Sequence, residues 1–217
     1  YIRAKEVLIS SGSIERPLVF GNNDTPGVML SSAAKEYMKV YGVLVGKKPL
    51  IFTNNDSGYE TAIEFKKNGV NPLILDTRKE PSSDIIAEAK NLGIEIKYSY
   101  VVVAAKGYKK VKSADIAKIS DNKKDLSNIE NIECDCICVS GFWTPSIHLA
   151  SQSGNKSEFN EKIDAFIPKK SKQRENTIGS ANGKFTLEET INEAFNKGYE
   201  VSNLSLIHIS EPTRPRS

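Results

Sequence analysis

Apolar residues come in short runs cut by glycine- and asparagine-rich breaks, and the spacing inside the runs alternates between strand-like and helix-like. Lys5–Ser11 is a compact apolar run ending at Gly12, which predicts a buried strand and a turn. Asn22–Gly27 is loop chemistry. Leu30–Tyr41 has Leu30, Ala33, Ala34, Tyr37, Met38 and Tyr41 at helical spacing and stops at Gly42. Pro49–Thr53 predicts a strand, Ser57–Asn68 a helix closed by Gly69, and Asn71–Asp76 a second strand ending in an acid. A second helix is expected at Ser82–Asn91, with Ser82 or Ser83 as N-cap and Gly93 as terminator. Ile94–Val103 and Lys109–Ile119 are β-branched and expected to pair, Asn122–Asn131 is a polar turn region, and Cys134–Ser140 is a buried strand ending at Gly141. Ser151–Lys162 is a polar loop with short extended pieces, Thr177–Gly183 a turn at a helix start, and Leu187–Gly198 the last helix. No internal repeat or low-complexity tract interrupts this order.

Pro49–Asp76 is therefore one strand–helix–strand unit of nucleotide-binding type. Such a unit needs a tight turn after its first strand, close approach of backbone to pyrophosphate, and a helix N-terminus facing the anion. Against a G-x-G-x-x-G/A pattern, Thr53 and Asn55 take the first two glycine places, and only Gly58 fits, as a helix-to-strand packing position. Side chains at Thr53 and Asn55 would crowd a pyrophosphate, Asp56 adds negative charge, and Asp76 sits about where a ribose-binding acid belongs. This turn reads as nucleotide-domain architecture with a weakened or lost site.

Two further strand ends bracket that unit: Ser10-Ser11-Gly12 with Pro17 following, and Ser140-Gly141 with Pro145 following. Ser11, Gly12 and Gly179 are the expected cofactor-binding positions, because strand-end turns and a helix start present backbone N–H groups. The layout resembles the two-dinucleotide-domain flavoproteins, in which one nucleotide domain is inserted into another. In flavin-binding members the place of Gly179-Ser180 reads Gly-Asp; the missing acid argues against ordinary FAD binding here.

The resemblance narrows on Glu15-Arg16-Pro17-Leu18-Val19-Phe20, Asn22 through Leu30, Phe52 through Ser57, Gly141-Phe142-Trp143-Thr144-Pro145 and Ser151-Gln152-Ser153. In this order the blocks are similar to the α-subunit family of heterotetrameric sarcosine oxidases, from Arg3 to about Ser202, with Phe142 standing where glycine is expected. What the resemblance implies is a complex with β, γ and δ subunits that oxidises the N-methyl group of sarcosine with oxygen. The products are glycine, hydrogen peroxide and a one-carbon unit for tetrahydrofolate. FAD belongs to the β subunit, FMN lies between α and β, NAD is held by α, and folate is handled by a later domain.

The expected fold class is α/β, with two nested Rossmann-like dinucleotide-binding domains, the first incomplete. Residues 1–45 and 142–203 belong to the first, lacking its N-terminal βαβ unit, and 46–141 form the inserted second domain. Residues 204–217 contain LSLIHISEPTRP, which reads as a translated sequencing adapter rather than native sequence. Together with Tyr1 in place of Met, this suggests a fragment that is inactive alone. Alternative readings are a subunit of an NAD- or FAD-linked amine or opine dehydrogenase, and a non-catalytic nucleotide-domain scaffold.

Composition changes little in this picture. With 39% apolar and 26% charged residues over 217 positions the chain is of ordinary globular type, and no apolar run reaches membrane-spanning length. Its formal charge is +3, and the lysines at 106, 109, 110 and 112 and at 169, 170 and 172 read as solvated surface, so no nucleic-acid or membrane partner is expected. Cys134, Cys136 and Cys138 would face one way on a strand, too widely spaced for one tetrahedral metal, and read as buried small hydrophobes suited to a reducing cytoplasm. His148 reads as a packing or hydrogen-bonding residue rather than a base, and Trp143 as core or interface.

Overall fold

The computed structural model describes residues 4–120 and 126–209. It divides into two compact units, one holding the chain up to Ile14 and from Trp143 onward, the other Glu15–Phe142. In the first unit β1 (Val7–Ile9) opens the chain, followed by β2 (Ser13–Glu15), whose first two residues belong to this unit.

The second unit is built on a five-stranded sheet. Its strands are β3 (Val28–Leu30), β4 (Pro49–Thr53), β5 (Leu73–Asp76), β6 (Glu95–Tyr98) and β10 (Cys136–Ser140), in the spatial order β3-β10-β4-β5-β6, all parallel. Helices α1 (Ser31–Tyr41), α2 (Ser57–Lys67) and α3 (Asp84–Asn91) connect them. Between β6 and β10 lies an antiparallel meander of β7 (Tyr100–Gly107), β8 (Val111–Ile119) and β9 (Leu126–Glu133). Strand alternation sends neighbouring residues into two separate cores. Ile51, Ile74, Cys136 and Cys138 meet Ala34, Met38, Ala62 and Phe65 of the helices. Leu50, Phe52, Leu75, Ile137 and Val139 meet Val102, Ala114 and Ile116 of the meander. Burial on both faces is why β4, β5 and β10 read as continuous apolar runs.

Four expectations change. The inserted unit begins at Glu15, not at residue 46: Val28–Leu30 pair in register with Ile137–Val139, and Ala34 and Met38 enter the same core as Ile51. The single strand expected over Ile94–Val103 is two, broken at Ser99, whose φ of 58° turns the chain out of the parallel sheet into the meander. Of the polar turn region, residues 126–131 lie in strand β9, an outer strand of the meander with exposed Ile129 and Glu130, so burial left no alternation to read, and residues 122–125 lie outside the described residues. Cys134 lies in the meander-side core, opposite Cys136 and Cys138, because β10 starts only at Cys136 and residues 134–135 belong to the connection.

The first unit resumes with β11 (Trp143–Pro145), which pairs with β2, then α4 (His148–Gln152) and the antiparallel pair β12 (Ser157–Asn160) and β13 (Ala165–Pro168). β14 (Glu175–Thr177) runs parallel to β1, with Ile9 opposite Thr177. A 3-10 turn at Gly179–Asn182 leads to α5 (Leu187–Ile209). This helix passes through Gly198, where its end was expected, and runs into the residues read as adapter; 210–217 lie outside the described residues. Among the described residues no helix is long and apolar enough to cross a membrane.

Candidate nucleotide sites

In the second unit, β4 and β5 bring the predicted residues together. Thr53 and Asp76 are register partners at the strand ends, and the Thr77 amide donates to the Thr53 carbonyl at 3.0 Å. Strand order reverses beside β4, so a ligand would be expected outside the carboxyl ends of β4 and β10. There the Asn55 side chain links both strands. Its amide nitrogen donates to the Ser140 carbonyl (3.1 Å) and hydroxyl (3.2 Å), while its oxygen accepts from the Ser57 amide (2.9 Å) and hydroxyl (2.5 Å). The first backbone N–H of α2 is thus spent on Asn55.

Thr53 is fully buried, its hydroxyl donating to the Asn55 carbonyl (2.8 Å) and accepting from the Asn55 amide (3.1 Å). A Cβ at Gly58 would stand 2.7 Å from the Thr53 Cβ and Oγ1, so the bare Gly58 backbone is what lets α2 close over Thr53. The threonine therefore points into the unit and does not crowd the phosphate side.

Asp76 is also fully buried and already engaged. Tyr59 donates its hydroxyl to Asp76 at 2.7 Å, and Arg78 donates its backbone amide (2.9 Å), Nε (3.1 Å) and a terminal nitrogen (2.8 Å). The other end of the Arg78 guanidinium holds Asp56 at 2.8 Å. Burial disfavours the Arg78 charge, but its hydrogen bonds to Asp76 and Asp56 outweigh this and keep the guanidinium charged beyond its ordinary range. Burial, reinforced by the bond to Asp76, holds the Tyr59 phenol protonated far above its usual value. Asp76 thus has its acceptors filled from within, and Asp56 is a paired charge. Sequence reasoning singles out Ser140 only as a strand end and passes over Arg78, whose one signal is an arginine two positions after the strand-end acid.

In the first unit, parallel β1 and β14 bring Ser11, Gly12 and Gly179 to adjacent strand ends, with the Ile178 amide donating to Ile9 at 2.9 Å. Gly12 and Gly179 have φ of 76° and 70°, the left-handed conformation that glycine adopts without penalty. Ser11 donates to the Ser146 carbonyl (2.6 Å), and Ser146 to Gly12 (2.9 Å). The Gly179 amide donates to the Glu193 carboxylate at 2.6 Å, and Asn182 to its other oxygen at 2.7 Å. Beside these strand ends is a cavity of about 310 Å³ lined by Ser13, Trp143, Ser180, Lys184, Phe185, Leu187 and Thr190. His148 is exposed at the start of α4. Among the described residues no group of three or more His, Cys, Asp or Glu could hold a metal ion.

A parallel sheet with helices on one face and an antiparallel meander on the other, in a chain whose two ends fold a separate smaller unit, is the α/β fold of FAD/NAD(P)-binding oxidoreductases. Solved structures agree: thioredoxin reductase from T. acidophilum superposes with a TM-score of 0.74 at 16% identity, covering 94% of this chain and 66% of that one. The Lactococcus lactis thioredoxin reductase gives 0.69 at 15%, covering 92% and 65%. In sequence the chain is related to a stretch of sarcosine oxidase subunit alpha. It is 31% identical over 187 residues to that subunit of Corynebacterium sp. (strain P-1), covering 85% of this chain and 19% of the relative. With that of Rhizobium meliloti (strain 1021) it shares 35% over 167 residues, covering 76% and 16%. The chain thus spans about a fifth or less of the length of these relatives. No protein-family model matches it.

Proposed function

We propose that this chain is the nucleotide-domain segment of a sarcosine oxidase-type α subunit, and that the first unit contributes to its NAD seat while the second acts as a scaffold with a closed seat. The observation that carries this is the contrast between the two sets of strand ends. In the second unit Asn55, Ser57 and Ser140 bond to one another, and Arg78 ties Asp56 to Asp76, so the residues present do not fit a pyrophosphate. In the first, the Ser11 hydroxyl is spent on Ser146 and the Gly179 amide on Glu193, so what supports the reading is backbone and space: Gly12 and Gly179 in left-handed conformation at the ends of adjacent parallel strands, beside a cavity with an aromatic wall that can take part of a dinucleotide.

By likeness to the relatives, the whole protein would work with β, γ and δ subunits in a cytoplasmic complex carrying FAD and FMN. It would demethylate sarcosine oxidatively to glycine with hydrogen peroxide and pass a one-carbon unit to tetrahydrofolate elsewhere. Within that complex the residues of this chain would hold and orient NAD.

Calorimetry of NAD with the chain tests the assignment. Thr53 is fully buried, so a bulky change there would disturb folding; half-buried Asn54 is the better position. Asn54→Lys is expected to leave the weak NAD heat unchanged, and Gly12→Val, which forces a branched side chain onto left-handed backbone, to abolish it. The opposite pattern would put NAD in the second unit.

A further inference from the structure

We infer that the lysine-rich loop after β13 forms, with α5, a binding site for a small oxyanion of the phosphate class, separate from either nucleotide seat. The loop reads Lys169-Lys170-Ser171-Lys172-Gln173-Arg174, four cations in six residues with no acid among them. Sequence pattern alone reads these lysines as solvated surface. The structure places Lys169 and Lys170, but not Lys172, in the wall of a second cavity of the first unit, of about 160 Å³. Lys197 of α5 is the third cation of that wall, and Glu175 and Glu193 are its two acids. All three residues of β14 line this cavity and none of β1 does, and it shares no lining residue with the cavity that holds Trp143. Its volume lies below the roughly 300 Å³ at which sites for organic ligands begin, which suits an ion of a few heavy atoms.

Both carboxylates of the wall are occupied from within. Glu175 accepts from the Ser153 and Ser171 hydroxyls, and Glu193 from the Gly179 amide (2.6 Å) and the Asn182 side chain (2.7 Å). The lysines are less committed. Among the described residues Lys170 has no carboxylate partner. Lys169 meets Glu158 at 3.4 Å and Lys197 meets Glu200 at 2.7 Å, and both partners are exposed acids whose pairs hold a lysine only weakly. Asn155 gives one N–H to the Lys169 carbonyl at 2.6 Å and keeps a second to donate. The bond from Ser171 to Glu175 fixes the loop against β14, so the lysines are held beside the cavity without help from a ligand. Three ammonium groups against two carboxylates leave the wall positive, and a dianion gains more from it than a monovalent ion does.

Inorganic phosphate is titrated against the full chain by calorimetry, with chloride holding the ionic strength constant. Saturable binding with a Kd of about 1 mM is expected. Lys170→Gln and Lys197→Gln should each weaken it about fivefold or more. Lys172→Gln removes the same charge from the same loop outside the cavity and should change it less than about twofold. Glycerol phosphate separates the two sources of such an anion: affinity equal to that of the free ion points to a phosphate ester as the ligand, and binding of the free ion alone points to phosphate itself. Heats that do not saturate, or equal losses in all three glutamine variants, overturn the inference, because the ion would then be screening the surface charge and not filling a site. The outcome is independent of NAD: a chain that binds phosphate and not NAD keeps this site and loses the NAD seat.

Discussion

Arg78 holds Asp56 at 2.8 Å with one arm while the rest of its guanidinium is spent on Asp76, so a single cation closes the ends of β4 and β5. The two arms differ in surroundings: the Asp76 side chain is 0% exposed and that of Asp56 44%.

That difference predicts unequal costs. Removing Arg78 leaves Asp76 buried with only Tyr59 and backbone partners, and Arg78→Met should cost about 3 kcal/mol in urea unfolding. Asp56→Asn breaks only the solvent-exposed arm and should cost less than about 1 kcal/mol. Equal losses for the two variants would mean that the buried arm does not dominate.

The Gly58–Thr53 contact makes a second prediction. Gly58→Ala places a Cβ 2.7 Å from buried Thr53 side-chain atoms, and such overpacking costs about 1–3 kcal/mol. Thr53→Gly removes the obstacle but loses the hydroxyl bonds to Asn55. The double variant should therefore be more stable than the sum of the singles implies, with a coupling of about 1 kcal/mol or more. Strict additivity in denaturant melts would show that the turn relaxes around the added methyl group.

The sheet was legible and the closure of its ligand side was not, for physical reasons. Pro49–Thr53, Leu73–Asp76 and Cys136–Ser140 announce themselves because both faces are buried. β9 does not, because Ile129 and Glu130 are exposed on an outer strand. The break at Ser99 leaves no apolar signature, since a positive φ in a serine is invisible to periodicity. Asp76 was readable as a strand-end acid, yet its partners are not: a hydrophobic pattern locates the backbone but is silent on which polar groups meet above it. Tyr59 in particular reads as a helix-face hydrophobe, and only the structure shows its hydroxyl on Asp76. Cys134 was misplaced because strand parity was extended two residues beyond where β10 begins.

Phe142 has φ of 80°, an unfavourable conformation for a bulky side chain, just after Gly141. Phe142→Ala and Phe142→Gly both remove the ring, but only glycine removes the backbone penalty. The glycine variant should be more stable than the alanine one by about 1 kcal/mol. A more stable alanine variant would mean that the segment can leave the left-handed region at little cost.

Buried thiols weaken the fold at alkaline pH. Burial in the meander-side core, with smaller contributions from Cys136, Asp135 and Glu133, pushes the Cys134 thiol from its ordinary 9.0 up to about 12. A folded value above the unfolded one means that the unfolded chain gives up its proton first as pH rises. The stabilisation is complete below pH 9.0 and is lost as pH rises through about 12. Cys138, raised by its bond to Cys136 and by burial, acts in the same direction, as does Tyr59. Over that window each such group steepens the fall of stability by up to about 1.4 kcal/mol per pH unit. Cys134→Ala should lower stability slightly at neutral pH, through the lost sulfur packing, and make the alkaline slope shallower by one group's share. Urea midpoints measured across the neutral and alkaline range separate the two effects, since packing displaces the whole curve and titration changes only its slope. An unchanged slope in Cys134→Ala would mean that this thiol ionises as readily in the folded chain as in the unfolded one.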